Sequence, residues 1–82
     1  MLEEVKHYLR VDEEYDDELI ETLISSSEEY LINAGITEKA KSTALYKLCI
    51  KMICKNIYDE KEDILDKSIL TIIRQMEYLG DL

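Results

Sequence analysis

Few side chains in this 82-residue sequence are of a type that does chemistry. His7 is the single imidazole, Cys49 and Cys54 are the two thiols, and three serines run from Ser25 to Ser27. Nucleophilic hydrolysis needs a base beside the attacking serine or cysteine. His7 falls on a short N-terminal helix among charged residues and reads as a solvated surface side chain. Asp16–Asp17 and Glu28–Glu29 are carboxylate pairs, but acid–base work needs a cleft that raises one pKa of such a pair. Nothing in the pattern predicts such a cleft. Two glycines are too few for a phosphate-cradling loop. The acidic run Asp12–Glu18 (DEEYDDE) lacks the glycine and the ligand spacing of a calcium loop. Cys49 and Cys54 stand five apart on one predicted helix, so they face directions roughly 140° apart. With no CxxC and one histidine they make no zinc set, and they read as reduced core residues. We therefore expect no catalytic residue, no metal and no cofactor.

The elements that would position these residues are all helical. There is no proline, and strand-like alternation is absent over any useful length. The spacing predicts a short helix over Leu2–Leu9, with Leu2, Val5 and Leu9 on one side. A second helix is predicted over Asp16–Asn33, with Leu19, Ile20, Leu23, Ile24, Tyr30 and Leu31 as its apolar stripe. Asp16, Asp17 and Glu18 crowd the start of that helix, where the backbone amides favour carboxylates and an aspartate can cap them. Ser27 interrupts the stripe; a small residue there lets another helix approach, and its hydroxyl can bond back to the Leu23 carbonyl. Gly35 stands where a left-handed residue would end the helix.

Thr37 is the expected N-cap of a third helix over Glu38–Tyr58. Leu45, Leu48, Cys49, Met52, Ile53 and Ile57 define its apolar arc, and Tyr46 and Ile50 widen it. A helix apolar over so much of its circumference must touch several partners, so it is placed at the centre. A charged connector leads to a fourth helix over Ser68–Leu79, presenting Ile69, Ile72, Ile73, Met76 and Leu79, with Gly80 closing it. Leu70 and Tyr78 fall off that stripe and hint at a contact outside the fold. The expectation is one all-α domain over residues 1–82, a bundle of four helices around the third. A chain of this length buries only about 60–65% of its unfolded surface, which is near the lower limit for a self-sufficient core.

Charge is unevenly placed. Residues 1–38 carry twelve acids and two bases, residues 39–58 five lysines and no acid, and residues 59–82 seven acids and three bases. The overall charge of −9 disfavours nucleic acid and anionic membranes as partners. No apolar run is long enough to span a bilayer and no signal peptide opens the chain, so secretion and membrane insertion are not expected. Lys47, Lys51 and Lys55 recur every four residues and line one helix face over about 12 Å. Three readings of that strip stand open. It is solvated or neutralised by the acidic second helix, or it meets the acidic face of a neighbouring copy, or it contacts phosphate. No arginine or aromatic residue interleaves it to read bases.

The run LEEVKHYLRVDEEYDDELIETLISSSEEYLINAG resembles the opening of the small phage head–tail connector proteins, also called head-completion or DNA-packaging adaptor proteins. The matching residues are Leu2, Glu3, Glu4, Lys6, Leu9 and Arg10, then Asp16, Asp17, Leu19, Leu23, Ile24, Glu29, Tyr30, Leu31 and Gly35. Farther along, IKMICKNIYDEKED is similar to the long aliphatic helix of that family, with Tyr58, Glu60, Lys61 and Glu62 in its closing cluster. The family often has an arginine where Lys61 stands, and prolines or a longer loop before the central helix; this chain has neither. The resemblance spans nearly the whole chain.

The resemblance implies an α-helical bundle acting as a structural adaptor at the phage or prophage head–tail junction, not an enzyme. It would form a homo-oligomeric ring beneath the portal, through which packaged DNA passes without specific binding. Its partners would be the portal protein and a tail-side or stopper protein, and its place the virion neck after synthesis in the host cytoplasm. The charge pattern adds an expected protein interface: Lys47, Lys51 and Lys55 on one side, and Asp16, Asp17, Glu18 and Glu21 on the other. The alternative is a small helical regulator or DNA-binding protein using the lysine strip.

Overall fold

The computed structural model describes residues 1–80, with side chains through Tyr78. Four α-helices follow one another: α1 over Leu2–Leu9, α2 over Asp17–Asn33, α3 over Ala44–Tyr58 and α4 over Lys67–Gly80. No strand occurs among the described residues. Helix α3 packs against α1, α2 and α4, so its wide apolar arc serves three neighbours, as expected.

The N-terminus of α3 departs from expectation. The expected start at Glu38, capped by Thr37, gives way to a 3-10 turn over Ala40–Ser42, and the helix begins at Ala44. Thr43 is extended and its Oγ1 accepts a hydrogen bond from the Tyr46 amide at 3.2 Å. The sequence offers two threonines able to cap, and Thr43 wins because the apolar pattern that packing can hold begins just after it. The buried face also turns: Tyr46, Cys49, Ile50, Ile53 and Cys54 lie in the core, whereas Leu48 is 39% exposed. On α2 the stripe is Ile20, Leu23, Ile24, Ser27 and Leu31, while Leu19 and Tyr30, expected on it, are exposed. Each sits one position, about 100°, from a buried neighbour, at an edge that no other helix covers.

Helix α2 ends as its sequence suggests. Gly35 has φ 89°, its amide donates to the Ile32 carbonyl, and the Ile36 amide donates to the Leu31 carbonyl. This is the Schellman arrangement, and the buried Ile36 and Leu31 supply its apolar contact. The same hydrogen-bond pair closes α1 around Arg10, with φ 61°, and α3 around Glu60, with φ 55°. Neither is a glycine, so both chain reversals escaped the sequence pattern. The first one seats Val11 in the core within the acidic connector.

Ser27 is fully buried, and its hydroxyl donates to the Leu23 carbonyl at 2.8 Å and lies 3.4 Å from Cys54 Sγ. The small residue brings α2 close to α3, as the stripe interruption implied. On α4, Ile69, Ile73 and Met76 are buried and Ile72 half-buried. The Leu79 side chain and the expected closure at Gly80 lie outside the described residues.

Helix α4 starts under a cap that the charged connector concealed. Asp66 accepts from the Ile69 amide at 3.0 Å and from Asn56 Nδ2 at 3.2 Å, and Asn56 also donates to the Ile64 carbonyl at 2.9 Å. The Ile69 N–H, with help from Asn56, holds the Asp66 carboxyl below its ordinary value of 3.8. A carboxylate with a depressed folded-state pKa stabilises above its unfolded pKa and loses that contribution as pH falls through the folded value. Asp66→Ala is therefore expected to cost about 1 kcal/mol at neutral pH. In urea titrations followed by circular dichroism, the gap from wild type should shrink as the pH drops below the ordinary aspartate range.

Candidate interaction surfaces

The residues singled out for chemistry do not converge. His7 is exposed, and Cys49 and Cys54 are buried free thiols. Burial pushes the Cys49 thiol up to about 11 and raises that of Cys54, the opposite of what a nucleophile requires. Among the described residues no three histidine, cysteine or acidic side chains are grouped to hold a metal ion. Nor is any helix there long and apolar enough to cross a membrane. What the fold presents is surface.

The acidic start of α2 divides in two. Asp17 lies 2.7 Å from the ammonium of Lys6, a residue whose stem is buried against the bundle, and the hydrogen bond between them raises the Lys6 pKa. Asp16 does not cap α2; its carboxylate accepts from the Tyr58 hydroxyl at 3.0 Å, and that bond raises the tyrosine pKa. These two aspartates thus tie the α1–α2 connector to α1 and to the C-terminal end of α3. Glu18 and Glu21 are exposed and make no ion pair among the described residues.

The lysine strip lies along the outer side of α3. Lys47 stands 3.9 Å from Oε1, and Lys51 3.9 Å from Oε2, of one carboxylate, Glu4 of α1. Lys55 donates to Asp59, one turn on, at 3.1 Å. The carboxylates come from α1 and from the end of α3 itself, not from α2 as the neutralisation reading had it. The 3.9 Å spacings are longer than charge-assisted hydrogen bonds, and such half-exposed pairs contribute about 0–1 kcal/mol. Two carboxylates serve three ammonium groups, so the strip keeps a positive surplus.

Leu48 is exposed on α3, and an open, mostly apolar groove of about 490 Å³ lies between α3 and α4. Leu45, Thr71, Arg74, Gln75 and Tyr78 line it. Tyr78 is 70% exposed, and Arg74 pairs with no carboxylate among the described residues. Tyr78, which falls off the α4 stripe in the sequence, lines the groove, and Leu70 is exposed nearby in the chain; the contribution of Leu45 and the groove itself were not legible. Tyr15, in the acidic connector, is 81% exposed and is the barest large apolar side chain among the described residues. Sequence reasoning passed it over as part of a charged break.

The described residues thus form a small helical bundle that carries opposed charge and bare apolar side chains on its surface. The family model for phage gp6-like head–tail connector proteins matches residues 1–78. The chain belongs to that family, as its N-terminal run suggested, and this makes it a head–tail connector protein. No curated protein and no solved structure matches it.

Proposed function

We propose that this chain is a structural adaptor that forms a ring beneath the portal at the head–tail junction, and that packaged DNA passes through that ring. A ring of identical subunits needs a heterologous contact, in which one patch meets a different patch on the next copy. The observation that carries the reading is the incompletely neutralised strip of Lys47, Lys51 and Lys55 on α3, set against free carboxylates at the start of α2. Glu18 and Glu21 face the next copy's strip, while Asp16 and Asp17 hold the segment that presents them. The portal lies on one side of the ring and a tail-side or stopper protein on the other. The chain's overall negative charge lets DNA pass without adhering. No step in this role is catalytic.

Lys51→Glu tests the contact. The substitution sits on a partly exposed position, so the melting temperature should change little. Self-association, measured by sedimentation velocity with and without portal protein, should weaken about tenfold or more, because two like charges then meet across the interface. Wild-type assembly in the variant would remove the lysine strip from the interface. Steeply salt-dependent binding of duplex DNA by the wild-type chain would favour the nucleic-acid reading instead.

A further inference from the structure

The acidic connector and the α3–α4 groove are complementary and cannot meet within one molecule. Asp16 is bonded to Tyr58 at the C-terminal end of α3, which fixes Tyr15 at that end. Leu45 places the groove at the N-terminal end of the same helix. Thirteen residues separate Leu45 from Tyr58, about 20 Å along the helix axis. A chain therefore carries an exposed aromatic side chain flanked by carboxylates at one end, and at the other an apolar groove rimmed by a cation, Arg74, that has no ion-pair partner among the described residues.

We propose that Tyr15 of one copy seats in the α3–α4 groove of the next, with Glu13 and Glu14 facing Arg74 and the lysine strip. The inference rests on the reading of the chain as a self-assembling connector and names the anchor of that assembly. The occupant is argued from charge. Arg74 is the one charged residue lining the groove among the described residues, and the connector surrounds its tyrosine with acids on both sides. The ring of Tyr15 covers the Leu45 floor, and its hydroxyl remains at the polar rim formed by Thr71 and Gln75. Tyrosine and arginine are the residue types that concentrate binding energy at interfaces. The donor and the acceptor stand on opposite ends, so each seated tyrosine leaves another groove open, and the contact propagates until a ring closes.

The test places a photoreactive benzophenone side chain at position 75 of the full-length chain, mixed with isotope-labelled wild-type chain and portal protein. After irradiation, the mass-spectrometric product should be a hybrid carrying the labelled copy's peptide around Tyr15. Tyr15→Ser in the labelled copy, and separately Arg74→Glu in the acceptor, should each lower its yield about tenfold or more. Both positions are exposed, so circular dichroism and melting should be unchanged. Cross-linking to a portal peptide, to the chain's own residues or to a different segment of a second copy would overturn the proposal. So would an undiminished yield with Tyr15→Ser. Sedimentation of the same samples separates the two readings. Oligomers without the Tyr15 link overturn the groove contact alone; no oligomers with or without portal overturn the ring as well.

Discussion

Ile53→Ala is expected to lower the free energy of unfolding by about 2–5 kcal/mol. Ile53 is fully buried near the middle of α3, the helix on which α1, α2 and α4 all pack. The loss has two parts, the transfer of the removed carbons and the cavity they leave. The cavity cannot collapse easily when neighbours on several sides hold one another apart. A chain of this length is stable by roughly 4–12 kcal/mol, so the substitution removes a large share. Each kcal/mol shifts the melting temperature of so small a domain by about 4–8 °C. Leu70→Ala, at an exposed position on α4, should stay within about 0.5 kcal/mol. Equal costs in urea titrations of the two variants would mean that α3 is not the packing axis.

Ser27→Leu is expected to be nearly as damaging, although it makes the α2 stripe more apolar. The serine hydroxyl stands 3.4 Å from Cys54 Sγ in a site with no exposed surface. Two more heavy atoms there, on a branched side chain, force α2 away from α3, and overpacking of this kind costs about 1–3 kcal/mol or more. Ser27→Ala should cost about 1 kcal/mol or less, since it removes mainly a hydroxyl bonded back to its own helix. The contrast isolates proximity from polarity. If leucine proved as well tolerated as alanine, the two helices would not be held at close approach by this residue.

The close approach at Ser27 and the central place of α3 were both legible in the sequence, because both follow from which residue types recur at helical spacing. The reversal at Gly35 was legible for a different reason, since glycine adopts positive φ without penalty. The equivalent reversals at Arg10 and Glu60 were hidden because those residues carry no such preference. The start of α3 was misplaced for want of a rule choosing between Thr37 and Thr43; the choice is made by tertiary packing of the residues that follow. Leu48 shows the limit of periodicity for the candidate site. Its place on the apolar arc suited a core residue, but the arc is wider than the neighbours that cover it, and Leu48 is left on the uncovered edge. The acids at the start of α2 looked alike in the sequence. The structure separates them, because only Asp16 and Asp17 find partners on other elements.

The two thiols have a practical consequence. Cys49 and Cys54 have no exposed surface, and burial raises the pKa of both thiols, that of Cys49 to about 11. An alkylating reagent reaches them only when the helices part, so modification at either position counts molecules that have opened, without a tag or an added dye. Because that count is taken by mass, it can be made on subunits inside an intact particle, where spectroscopic signals of one small component are swamped by the rest.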